Sequence, residues 1–569
     1  MKRTFQDLES RQFDLLVIGG GIFGACAAWD ATLRGLSVAL VEKADFGGGT
    51  SANSFKIVHG GIRYLQHADL ARLRASCRER SAFLRIAPHL VTPLPIVVPT
   101  YGRGRQGKAF LGAGMLLYDC LTMDRNAGIA DVTRRIPFSR FLDRTDVAGL
   151  FPGIQEAELT GGAVFRDGQM YNPPRLVLAF IRSASDEGAL AVNYAEAERL
   201  ERSDDVVVGA RVRDRLSGDT AQVRARSVLN AAGPWVPSMM SEREQAPLRS
   251  VGSFSRDACF VVPRRFAHPY GLALQGRTHD PDAIIGRAAR HLFVVPWRQY
   301  TLCGVWHRVW TAPPEDVHVS DEEIRAFIDE VNAALPSLDL RPEEVGMRNA
   351  GLVPFGDNEP GADHLRYGKK SHIIDHDTDA GLKNLVSLIG VRYTMARGDA
   401  SQAVDLLCKK LGASRSPPAT DAIPVFGGDF DDFEALVATA MQTAPFAISR
   451  AAAEALAHNH GTEYPNVFAA SGERPGWTGC VTGSTTLKAE VVYAVREEMA
   501  VRLTDIVFRR TDLATGGYPG RPAFEEAATL AAQELAWSVA KRDAELADVE
   551  RCFINGVKTA NSRIESVYA

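Results

Sequence analysis

The sequence predicts an α/β chain with an α+β insertion: a parallel nucleotide-binding sheet, an antiparallel sheet interleaved with it, and a helical C-terminal domain. Three observations predict this. An apolar run at residues 15–18 leads straight into Gly19, Gly21 and Gly24, spaced G-x-G-x-x-G, and then into a helical pattern. Further on, Cys259 to Pro263 and His291 to Trp297 form two similar β-branched runs, each ending at or near a proline. Beyond Ser416, Pro417 and Pro418 the pattern becomes helical.

Asp14 opens the first run, which suits a strand buried on both faces. Gly19 permits the tight turn, Gly21 lets backbone approach a pyrophosphate, and Gly24 lets the helix pack close to the strand. That helix, about residues 22–34, aims its N-terminus at Ile22 and Phe23 towards the phosphates. Gly35 can cap it. A second apolar strand, 38–42, ends at Glu42, 23 residues after Gly19, where a carboxylate accepts from a ribose hydroxyl. Lys43 follows. A second glycine-rich stretch, Phe46 to Ser51, comes directly after this strand. Thr50, Ser51 and Ser54 then supply further donors for a long, extended cofactor. The unit is therefore Rossmann-like, and FAD fits it better than NAD.

At 569 residues the chain exceeds one core, so two or three domains are expected. A net charge of −4 without a dense basic run argues against nucleic-acid binding. Eight scattered cysteines without C-x-x-C read as reduced thiols of a cytoplasmic protein, with no metal site. The first ten residues lack a signal-peptide core, and no stretch reaches the ~18 apolar residues of a spanning helix. The expectation is a soluble protein or one held at a membrane surface.

Residues 51–67 read as loop or short strand beside the cofactor, with Lys56 reaching towards it. Residues 69–87 form a helix with Leu70, Leu73, Cys77 and Leu84 on one face, stopped by Pro88. At 103–121, Arg103, Arg105 and Lys108 precede an apolar segment. That suits a bilayer interface, and equally a core helix with a basic entry. Residues 160–230 read as strands around a helix at 174–187, and 227–233 as a strand closing on small residues. Ser320 and Glu323 form a capping box for an amphipathic helix to Leu335. Residues 385–397 turn from strand into a helix that runs to Leu411. Helices are then predicted at 430–441, 448–458, 487–503 and 522–548.

The G-T-S-x-x-S loop, the H-G-G-I-R-Y-L run from His59 to Leu65, and Glu79 to Leu90 resemble the FAD-dependent glycerol-3-phosphate dehydrogenases. These are peripheral membrane flavoproteins of the D-amino-acid-oxidase-like fold group. The resemblance runs in register from about Phe13 to Asp512 and includes Arg509 to Thr511. It implies an FAD domain interleaved with a cap over residues 1–415, the cap mainly at 90–180 and 245–350. Residues 416–569 would form the helical domain. It places Ala232 and Gly233 over the ADP half of FAD. The turn Gly390, Arg392, Tyr393 and Thr394 would return to the flavin, which His59, Gly60 and Gly61 also adjoin. The implied reaction is oxidation of the secondary alcohol of glycerol 3-phosphate to dihydroxyacetone phosphate, with quinone or oxygen as acceptor. Arg63 and Tyr64 carry over as substrate contacts, His59 as flavin neighbour or proton acceptor.

The match departs on the substrate side. The family's K-G-x-H reads Arg256, Asp257, Ala258, Cys259; its G-T-T-D reads Gly304, Val305, Trp306, His307. The arginine of S-G-x-R-P falls on Val353, only Lys369 or Lys370 stands near the next one, and Arg392 replaces a lysine. His307 and Arg256 are the candidates to rebuild the pocket. Another polyol phosphate, a hydroxy acid, an amino-bearing substrate, or a non-catalytic flavoprotein stay open as alternatives. So do contact with the inner face of the cell membrane and a homodimer.

Overall fold

The computed structural model describes residues 1–104, 107–277, 291–362, 365–366, 368–413 and 419–554. Arg105 and the proline linker at 416–418 lie outside the described residues.

Phe13–Ile18 is buried along its length and lies inside an eight-stranded sheet. The order is His372–Asp375, Leu385–Ile389, Thr220–Asn230, Phe13–Ile18, Val38–Val41, Leu190–Val192, with a hairpin beyond Thr220–Asn230. All but the first of these strands pair in parallel, as their near-continuous apolar runs require. Leu15 and Val17 pack under Ile22–Leu33, Pro173–Asp186 and Ala396–Lys410, whereas Leu16 and Ile18 face the opposite core.

The second sheet has nine strands, running Met347–Pro354, Phe254–Val262, Tyr300–Trp310, His291–Trp297, Gly271–Gln275, Val91–Tyr101, Leu159–Met170, Ile57–Val58, with Arg140–Leu142 beside Leu159–Met170. Alternation divides its side chains. Ala258, Phe260 and Val262 pack against Ile324, Phe327 and Val331 of the helix Asp321–Ala334, whose capping box at Ser320 and Glu323 is present. Cys259 and Val261 face the other way, with Phe55, Ile57 and Phe165. The cap limits shift accordingly. Pro173–Asp186 belongs to the parallel layer, and Ile57–Val58 joins the cap sheet.

The C-terminal domain is helical, with boundary corrections. The predicted helix 522–548 is two, Arg521–Leu535 and Val539–Ile554, broken where Ala536 turns left-handed at φ 52°. The predicted 487–503 ends at Glu497, and Tyr464–Ser471 is an additional helix. Buried ion pairs join this domain to the parallel layer. Asp45 meets Arg509 and Arg510, and Arg175 meets Glu498.

Candidate active site

A cavity of about 570 Å³ lies between the two sheets. Its first wall is backbone. Gly19 leaves its strand at φ +108°, and a Cβ there would stand 2.7 Å from the Ala231 oxygen. A Cβ on Gly24 would stand 1.9 Å from the Gly19 oxygen. Gly24 therefore does not line the cavity; it brings the helix against the strand. Gly21 caps that helix, Ile22 and Phe23 begin it, and the Ile22 amide donates to Ser51 Oγ at 3.0 Å. Glu42 accepts from the Gly20 amide at 2.7 Å and the Ala44 amide at 2.9 Å, and burial pushes its carboxyl up. Lys43 lines the cavity with its ammonium 4.5 Å over Trp235. A glycine cradle, a helix N-terminus and a carboxylate at the end of the adjacent strand fit the ADP half of FAD.

Farther along, Thr50, Ser54, Ala232 and Gly233 line the same cavity. So do His59, Gly61, Arg63 and the turn Gly390, Arg392, Tyr393, Thr394. The turn and the His59 loop are tied by the His59 amide donating to Thr394 Oγ1 at 3.0 Å. Gly390 sits beneath the Phe23 ring, where a Cβ would come within 1.8 Å. Burial, and then Arg63, Arg392 and Arg80, hold His59 well below the usual histidine range, so its imidazole is neutral.

Five predicted residues do not reach the cavity, Gly24 among them. Gly60 lies behind its wall, pressed on Arg80, its amide donating to Asp167 at 2.6 Å. Lys56 is buried beneath the wall, 4.8 Å over the Trp297 ring, and burial lowers its ammonium. Tyr64 is a platform instead of a lining group: the Arg72, Arg392 and Arg63 guanidiniums lie 4.6, 5.2 and 5.4 Å from its ring centroid. Burial raises its phenol, but Arg63 and Arg392 outweigh that and bring it below its ordinary value. Arg392 donates to Tyr64, and its buried Nε–H meets no acceptor among the described residues. Arg256 is the clear correction. It alternates with Asp257, so it points into the opposite core and forks onto Glu323 at 2.9 and 3.0 Å.

His307 does line the cavity, and its Nδ1 donates to Asp257 at 2.7 Å. Asp257 itself lines the cavity, as do Asp167, Phe55 and Phe293, none of which the sequence reading singled out. The signal for Asp257 was its parity with Cys259, which marks the cavity face of the strand.

This architecture, a backbone cradle under an antiparallel cap, defines a flavin-dependent oxidoreductase. Residues 14–390 match the family model "FAD dependent oxidoreductase", and 418–542 match "C-terminal domain of alpha-glycerophosphate oxidase". A glycerol-3-phosphate dehydrogenase of Synechocystis is 32% identical over 90% of this chain and 91% of its own. A mitochondrial one from Mus musculus is 32% identical over 95% and 73%. The fold matches a Bacillus halodurans glycerol-3-phosphate dehydrogenase complexed with FAD, with TM-score 0.74 and 23% identity over 97% of both chains. The chain belongs to the FAD-dependent oxidoreductases, within the glycerol-3-phosphate dehydrogenase family, and its cofactor is FAD.

Proposed function

We propose that this chain oxidises the secondary alcohol of glycerol 3-phosphate to dihydroxyacetone phosphate and passes the electrons to a quinone at a membrane surface. The observation that carries the reading is the pair Arg63 and Arg392, stacked over Tyr64 beside His59. Guanidiniums present forked donors that match phosphate oxygens, and the unmet Arg392 Nε–H suits an anion. FAD, when bound, supplies the two-electron oxidant that accepts a hydride from the hydroxyl-bearing carbon. The protein binds and orients the alcohol and excludes water with Phe55, Phe165 and Phe293.

Membrane contact is assigned to the helix Lys108–Leu121, which exposes Phe110, Leu116 and Leu117, with Met123 just beyond at 75% exposure. Arg103 and Lys108, both exposed, supply positive charge at its start, the combination an anionic bilayer surface attracts. No helix among the described residues is long and apolar enough to cross a membrane. Co-sedimentation with anionic vesicles tests this contact, and Leu116→Glu with Leu117→Glu is expected to abolish it.

A second reading has one specific observation behind it. Val353 lines the cavity where the resembled family carries an arginine, and Cys259 where it carries a histidine. A substrate with a smaller or weaker anion, such as a hydroxy acid, suits that wall. Anaerobic addition of glycerol 3-phosphate, then of polyol phosphates and hydroxy acids, decides between them. Loss of the oxidised-flavin band with glycerol 3-phosphate supports the first reading. Loss only with another compound replaces it.

A further inference from the structure

We propose that His307, held by Asp257, is the base that removes the proton of the substrate hydroxyl. This rests on the alcohol-oxidising reading above and names the group that carries its proton transfer.

Three histidines line the cavity, His59, His291 and His307. His307 is paired with a carboxylate, Asp257, and His59 lies in surroundings of the opposite sign. A base must be stable once it has taken the proton and become a cation. His59 stands near Arg63, Arg392 and Arg80, three permanent positive charges that oppose a fourth. The same field favours an anionic substrate. His59 is thus suited to the site as a neutral ring.

His307 stands on the cap strand Tyr300–Trp310, directly across from Asp257 on Phe254–Val262. The carboxylate receives the Nδ1 proton at 2.7 Å, fixing the tautomer and leaving the neutral ring's lone pair on Nε2. An ionised carboxylate there stabilises the imidazolium formed by proton uptake. The ring is held further by stacking on Phe355, with centroids 5.1 Å apart and planes at 25°. Asp257 is a charged group against His307, and Arg63 and Arg392 line the same cavity. Side-chain exposures of 15% for His307 and 27% for Asp257 leave the pair reachable from the cavity.

The balance is simple. The hydroxyl O–H bond breaks and its proton goes to Nε2. The C–H bond breaks with both electrons, leaving as hydride to the oxidised flavin, and the carbon–oxygen double bond forms. The alcohol is oxidised by two electrons and the flavin reduced by two. Asp257 is a positioning residue, because it acts through His307.

Two measurements on the holoenzyme test this. In anaerobic stopped flow with glycerol 3-phosphate, His307→Gln is expected to slow flavin reduction by roughly 10²–10⁴-fold with little change in substrate affinity. Asp257→Asn is expected to slow it less, since the lost carboxylate no longer fixes the ring or supports the cation. Should His307→Gln not hold flavin, Asp257→Asn carries the comparison. Nitrogen NMR of histidine-labelled protein, needing no turnover, is expected to show the neutral His307 ring protonated on Nδ1 with its lone pair on Nε2, and to lose that preference in Asp257→Asn. Wild-type reduction rates in His307→Gln, or a His307 ring protonated on Nε2 in wild type, overturn the proposal alone. A wild-type flavin that glycerol 3-phosphate does not reduce overturns the proposed function, and this assignment with it.

Discussion

The two walls of the cavity are built by different means. The wall built on the parallel sheet uses backbone. Gly19 and Gly21 present open main chain, Gly24 lets the helix approach, and one carboxylate, Glu42, is bonded to two amides. The cap wall uses side chains on alternating strand positions, so one residue's shift decides whether a group serves the cavity or the core. Asp257 and Arg256 are neighbours in sequence and enemies in placement. One meets His307 at the cavity, and the other is buried against Glu323. Backbone sites tolerate variation in everything but glycine, whereas side-chain sites can exchange their chemistry without disturbing the fold.

Four experiments break or sharpen this contrast. The largest effect is expected from Gly24→Val. Its Cβ would stand 1.9 Å from a main-chain oxygen, so the cradle cannot form and the purified protein should carry no FAD. A yellow Gly24→Val protein would break the backbone half of the comparison. Next, Arg256→Ala removes the fork from half-buried Glu323, which keeps Arg308 and the Ser320 amide, and is expected to cost about 1.5–3 kcal/mol in denaturant unfolding. Its flavin content should stay full. Third, Arg392→Ala removes a charged hydrogen-bond donor worth about 1.5–3 kcal/mol, raising KM roughly tenfold to a hundredfold. Smallest is the pH dependence of the Arg256–Glu323 pair. Burial raises the Glu323 carboxyl, but the fork from Arg256, with the Ser320 amide and Arg308, outweighs it and holds it at about 2, below the ordinary 4.5. A depressed carboxylate stabilises the fold fully above 4.5 and loses that contribution as pH falls towards 2. Acid unfolding should therefore begin at higher pH in Arg256→Ala than in wild type.

The backbone wall was legible because glycine has a distinct physical role. Gly19, Gly21, Gly24 and Glu42 could be assigned from spacing alone, and the capping box at Ser320 likewise. The cap wall was only half legible. Arg256 and His307 were both chemically suitable, and choosing between them requires knowing which face of Phe254–Val262 meets Phe55 and which meets Phe327. That depends on tertiary packing, which a strand's own pattern of alternation does not reveal when both faces are apolar. Tyr64 was assigned to the substrate because its motif adjoins Arg63, but its ring is buried and packs against three guanidiniums. The break at Ala536 was hidden for a related reason. The alanine-rich pattern runs through it, and the two helices fold back so that Phe553 packs on Phe524, a tertiary contact the pattern does not reveal.

The most direct test is anaerobic flavin reduction by glycerol 3-phosphate in Arg256→Ala and Arg392→Ala, each compared with wild type at equal flavin content and subsaturating substrate. The placement of the two arginines predicts wild-type kinetics for Arg256→Ala and a tenfold or greater slowing for Arg392→Ala, about 1.5 kcal/mol or more. The reverse result, a slowed Arg256→Ala and an unaffected Arg392→Ala, would contradict the assignment of the cavity face on which the account rests.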